Sequence, residues 1–142
     1  MGICRAARIA GVTLTAAAAL AGCGSSPAPP TGAVIGIGER DFHIDAPQTV
    51  PGGNVTVRVH NSGPEEHELL IVRTASVHLP LRADGLTVDE DKLRSETMGI
   101  VDGVPPGHHG EVHLNLLPGH YLLFCNMAGH FRGGMHTELV VS

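Results

Sequence analysis

The chain has no tryptophan, one tyrosine and three phenylalanines in 142 residues, so its core must be largely aliphatic. It is poor in basic residues: nine Lys and Arg stand against fourteen Asp and Glu, a formal net charge of −5. With no basic stripe, the chain lacks the electrostatic footprint of a nucleic-acid binder. Cysteine is scarce and odd in number, at Cys4, Cys23 and Cys125, which excludes a disulfide framework and requires a separate account of each. What the chain does hold is glycine (19), proline (10), ten histidines and 42% apolar residues in patterned runs. That is not the composition of a disordered chain, and the length suits one domain with small extras.

Residues 1–22 begin with Arg5 and Arg8 and continue into the apolar run Ile9–Ala21. That run is too short and alanine-rich for a membrane span and reads as a signal peptide. It ends in Leu20-Ala21-Gly22-Cys23, which resembles the lipobox of bacterial lipoproteins. The resemblance implies cleavage before Cys23 and lipidation of its sulfur, with the acyl chains supplying the anchor. The mature chain would carry seven basic and fourteen acidic residues, a net of −7, which favours a cationic protein partner. Residues 23–32, rich in Gly, Ser and Pro, read as the lipidated cysteine and a tether. Cys125 is then left without a disulfide partner. A lone thiol outside the cytoplasm is exposed to oxidation unless something occupies it.

Residues 33–142 read as a single all-β domain. Val55, Val57 and Val59 alternate with Thr56, Arg58 and His60, the signature of a half-buried strand. His67, Leu69 and Ile71 share one face of another. Val112, Leu114 and Leu116 alternate again, and His120–Cys125 is apolar on both faces, as a central strand would be. Gly36 and Gly38 are expected to mark a bulge or close approach in the first strand. Pro51-Gly52-Gly53-Asn54, Asn61–Pro64, Pro105–Gly107 and Pro118-Gly119 punctuate the runs. In the less regular 73–103 segment, Thr87–Glu90 resembles a capping box, predicting a short helix near Val88–Ser95. About seven short strands with frequent turns predict an antiparallel Greek-key sandwich.

One stretch carries chemistry. Cys125-Asn-Met-Ala-Gly-His130-Phe-Arg-Gly-Gly-Met135 sets a thiol, an imidazole and a thioether at five-residue intervals. Thiolate, two imidazoles and a weak axial thioether are the ligands of a mononuclear blue-copper site. His67, in P-E-E-H-E-L-L, is the best second imidazole. His60 is its rival, but alternates with the valine face and is expected in solvent. Met127 is the rival for the axial position, yet lies only two residues from Cys125. One cysteine is too few for a bridged dinuclear copper centre, and a structural zinc site would use more Cys or His at close spacing.

The pattern H…C-x4-H-x4-M resembles the cupredoxins, the small blue copper proteins. The V-P-G-G turn, N-S-G-P-x-x-H-E-L and L-x-P-G-x-Y-x-L-x-C-N-x-x-G-H are similar to the same family, over roughly Val34–Val141. The resemblance implies a cupredoxin-like sandwich and one copper ion, cycling between Cu(I) and Cu(II), on His67, Cys125, His130 and Met135. Glu68 stands where many cupredoxins have Asn, and Asn126 where many have Ser or Thr. These two are expected to pair in place of the usual lock, with Glu66 also beside the ligands. All metal positions are filled, which implies outer-sphere electron transfer at the outer face of a bacterial membrane, with no catalysis and no small-molecule substrate. His130 is expected at the exit edge, within an apolar patch of Met127, Ala128, Phe131 and Pro64 that meets a redox partner protein. The alternative is extracytoplasmic copper capture or delivery.

Overall fold

The computed structural model describes residues 32–142. The expected signal peptide (1–22), the expected lipidation site Cys23 and the expected tether up to residue 31 lie outside the described residues. No helix among the described residues is long and apolar enough to cross a membrane.

Among the described residues, nine strands form two facing sheets. β1 (Ala33–Arg40), β2 (His43–Asp45), β4 (Gly53–Asn61) and β7 (His109–Leu116) make one, in the order β2-β1-β4-β7. β3 (Thr49–Val50), β5 (His67–Val72), β6 (Thr97–Val104), β8 (Gly119–Phe124) and β9 (His136–Val141) make the other, in the order β3-β9-β8-β5-β6. The sandwich is nearly all-β, but its sheets are mixed. β1 runs parallel to β4, and β3 parallel to β9, where the sequence suggested purely antiparallel pairing.

The alternation along β4 sends Val55, Val57 and Val59 inward, where they meet Ile35 and Ile37 of β1 and Leu69, Ile71, Tyr121, Leu123 and Leu139 of the facing sheet. Each such side chain contributes roughly 1.5–3 kcal/mol by leaving water. The one tyrosine is buried and donates its hydroxyl proton to Leu117 O at 2.7 Å. Gly36 and Gly38 mark no bulge: β1 pairs regularly with β4 from Ala33 to Glu39. They lie on the outward face and leave it bare.

The 73–103 segment differs most from its sequence reading. The helix is one 3-10 turn, Glu90–Leu93, and Thr87 does not cap it; its hydroxyl bonds Asp84 instead. Residues Thr97–Val104 form β6, an edge strand beside β5 that apolar alternation did not reveal. Val88 and Leu93 fold over the outer face of the second sheet, sealing Leu70, Val72, Leu122 and Phe124 with Phe131 into a second small core. This cover is why β5 and β8 are apolar on both faces.

Candidate metal centre

β8 delivers Cys125 to one pole of the sandwich and β9 departs from the same pole. The loop between them is closed by Cys125 N–H to Met135 O (3.1 Å), Met135 N–H to His130 O (3.0 Å) and Gly133 N–H to Gly129 O (2.8 Å). β5 brings His67 from the neighbouring strand. A register shift in the β5–β6 pairing between His67 and Leu69 is the kind of irregularity that re-aims a side chain beside a site. Ligand atoms of His67, Cys125 and His130 all lie within 4.8 Å of one another, and all three residues are buried. Met135 is fully buried in the same core as Cys125.

The donors are prepared for a metal. Both ring nitrogens of His67 are buried without a hydrogen-bond partner. Asp41 Oδ1 approaches Nε2 to 3.2 Å, but off the line of a hydrogen bond. Burial, and then the neighbouring His130, lower the His67 pKa and keep the ring neutral, ready to donate a lone pair. His130 Nδ1 lies 3.4 Å from Cys125 Sγ, while its Nε2 lies 3.1 Å from Glu65 Oε2. A carboxylate can only accept, so Glu65 fixes the tautomer that turns a lone pair from Nδ1 towards the thiol. Burial raises the Cys125 thiol to about 11, opposed by hydrogen bonds from the Glu68 and Met127 main-chain N–H groups. Two buried imidazoles, one with both nitrogens unpartnered, and a buried thiol fit one copper ion.

Other expected residues fall differently. Glu66 is exposed, and its neighbour Glu65 is the one that meets a ligand. Glu68 and Asn126 do meet, but through the Asn126 main-chain N–H, which donates to the Glu68 carboxylate. The Asn126 side chain instead accepts from Val88 N–H (2.6 Å) and donates to Val88 O (3.1 Å) and Glu90 Oε1 (2.7 Å), tying the cover segment to the ligand loop. Pro64, Ala128 and Met127 are exposed, as expected. Phe131 is not: it lies inward, edge-on to Phe124 at 5.3 Å between ring centroids. His130 is itself only 6% exposed.

Two residues of the pole gave no readable signal. In the Arg40–His43 turn, Phe42 takes φ 60 and packs edge-on to His130 at 5.3 Å. Its ring occupies space that a Cβ on Gly133 would fill. Leu86 O accepts from Gly129 N–H, placing a half-exposed leucine beside the loop. A left-handed phenylalanine costs about 1–2 kcal/mol, and here that conformation lays the ring over His130. Phe42→Gly is expected to hold global stability within ~1 kcal/mol while hastening copper loss to a chelator; unchanged loss would deny the cover role.

Residues 35–142 match the Sulfocyanin (SoxE) domain. The chain belongs to the sulfocyanin family of cupredoxins. Several solved structures resemble it. Dithionite-reduced auracyanin from Roseiflexus castenholzii is 24% identical, covering 78% of this chain and 99% of that one, with a TM-score of 0.59. Auracyanin A of Chloroflexus aurantiacus, described as a "blue" copper protein, is 20% identical over 78% of this chain and 99% of its own, with a TM-score of 0.58. Reduced rusticyanin is 16% identical over 80% and 82%, with a TM-score of 0.54. At such identities the likeness establishes the fold alone. No curated protein matches in sequence. A sulfocyanin domain with a buried His–Cys–His cluster supports a blue copper electron-transfer protein using a single copper ion.

Proposed function

We propose that this sulfocyanin carries single electrons by outer-sphere transfer, through one copper ion that His67, Cys125, His130 and Met135 would hold. The observation that carries this reading is the convergence of three buried donors within 4.8 Å on a rigid strand-and-loop frame. When bound, copper would supply a one-electron Cu(I)/Cu(II) couple. The chain does the rest. The two sheets hold the donors fixed, Glu65 orients His130, and burial excludes water and substrate from the ligands. No catalytic step and no small-molecule substrate are assigned.

Phe42, Pro64, Leu86, Met127 and Ala128 are exposed around the buried ligands and form the contact patch in this reading. Redox encounters use small, weak interfaces. Electron self-exchange tests it, because two copies must meet patch to patch. Met127→Glu is expected to slow self-exchange roughly tenfold or more with an unchanged visible spectrum; an unaltered rate would remove the patch from the electron path.

Full burial of His67 and Cys125 favours retention of copper over its delivery. The lipobox-like Leu20–Cys23 supports extracytoplasmic anchoring through lipid on Cys23, at the bacterial cell membrane. Acyl labelling lost in Cys23→Ala would establish the anchor, and a soluble, unlabelled parent would refute it.

A further inference from the structure

We infer that His60 and His109 form a second, surface metal site that takes a Cu(II) ion or a similar imidazole-seeking divalent cation, independently of the buried centre. The two residues are directly opposite on β4 and β7. Asn61 N–H bonds His108 O at 3.0 Å, which makes His60 and His109 the narrow, non-hydrogen-bonded kind of cross-strand pair, where side chains come closest. Their rings stack at 4.3 Å between centroids and 21° between planes.

The ring of His60 is set up as a ligand. Its Nδ1 lies 3.2 Å from His108 O. A carbonyl can only accept, so Nδ1 carries the proton and Nε2 keeps the lone pair. Metal-binding histidines are commonly oriented by such a bond from the other ring nitrogen to a main-chain carbonyl. His109 is exposed, and the residue paired with His60 on its other side is Gly38, which has no side chain to crowd the ring. Arg58, the cation two residues before His60 on β4, is paired with Glu111 at 3.2 Å, which offsets its repulsion of an arriving metal ion.

Position gives the pair a use. His60 adjoins Asn61, whose Nδ2 donates to Glu65 O (2.6 Å) and Val104 O (2.9 Å) and whose Oδ1 accepts from Gly63 N–H (2.8 Å). The pair therefore stands at the foot of the 62–66 loop that leads to His67. An ion captured there is held at the same pole as the buried ligands.

The test uses the intact protein with its first equivalent of copper bound. A second equivalent of Cu(II) is followed by electron paramagnetic resonance, with Zn(II) titrated separately against the ring resonances of His60 and His109. The expected result is one further saturable, nitrogen-coordinated tetragonal copper signal, weakened more than about tenfold in His60→Asn and in His109→Asn. His113→Asn, four residues beyond His109 on the same face of β7, is expected to retain it. Absence of a second saturable signal, or its persistence in both His60→Asn and His109→Asn, would overturn the assignment. The Zn(II) titration reads the surface pair however the first copper is bound.

Discussion

Replacing Glu39 by glutamine is expected to stabilise the copper-free protein at pH 8 by about 2–4 kcal/mol, and to leave it nearly unchanged near pH 4.5. Glu39 is 1% exposed, and neither carboxylate oxygen has a hydrogen-bond partner. Burial, and secondarily the Glu68 carboxylate, push its pKa from 4.5 to about 8. Because the folded state holds this proton more tightly than the unfolded chain, the stabilising contribution is complete below pH 4.5. It declines as the pH rises and is gone above about 8, where an unpaired charge must be buried. Glutamine keeps the shape and resembles the neutral acid, so it isolates ionisation. Glu68, raised to about 7 by burial and then by Glu90 and Asp102, adds a shallower loss over part of the same range. Thermal unfolding of both proteins between pH 4.5 and 8.5 checks this. Parallel curves would mean that Glu39 finds a partner or water in solution.

Asn126→Ala is expected to cost about 2–4 kcal/mol in denaturant unfolding. The residue is 6% exposed, and its side chain makes three hydrogen bonds to the cover segment. Truncation leaves the N–H of fully buried Val88 without its acceptor, while the Val88 carbonyl keeps the Glu90 N–H at 3.1 Å; an orphaned buried donor costs more than the bond itself contributes. It also frees the residue next to Cys125 from the 87–90 turn, so faster copper release is expected to accompany the lost stability. Glu90→Gln, which keeps a side-chain acceptor for the Asn126 amide, is expected to cost less than about 1 kcal/mol. A loss under 1 kcal/mol for Asn126→Ala would show that the cover segment is held by Val88 and Leu93 packing alone.

Much of this was legible in the chain because the signals were local. Valine alternation in β4 states which face is buried, and Cys125, His130 and Met135 announce themselves by spacing. What was not legible depended on contacts between segments distant in sequence. Phe131 reads as part of an exposed loop until the 77–93 segment is seen to cover it. Thr97–Val104 lacks alternation because an edge strand with one solvated face needs little apolar content. The parallel β1–β4 and β3–β9 pairs follow from chain return paths that no local pattern records. The helix implied by Thr87–Glu90 yielded to Asp84, which takes the Thr87 hydroxyl and main-chain N–H groups for a turn. In P-E-E-H the sequence alone suggests Glu66 beside the ligands, and only the fold brings Glu65 to His130.

The buried thiol makes metal uptake pH-dependent. With Cys125 raised to about 11, binding displaces its proton, so apparent copper affinity is expected to rise about tenfold per pH unit near neutrality. The most direct test of the central assignment is the visible and electron paramagnetic resonance spectrum of the purified protein with one equivalent of Cu(II), beside Cys125→Ser. An intense blue or green thiolate-to-copper band with narrow hyperfine splitting, absent from the serine variant, is the predicted result. A colourless, histidine-type copper complex that is the same in both proteins would contradict it.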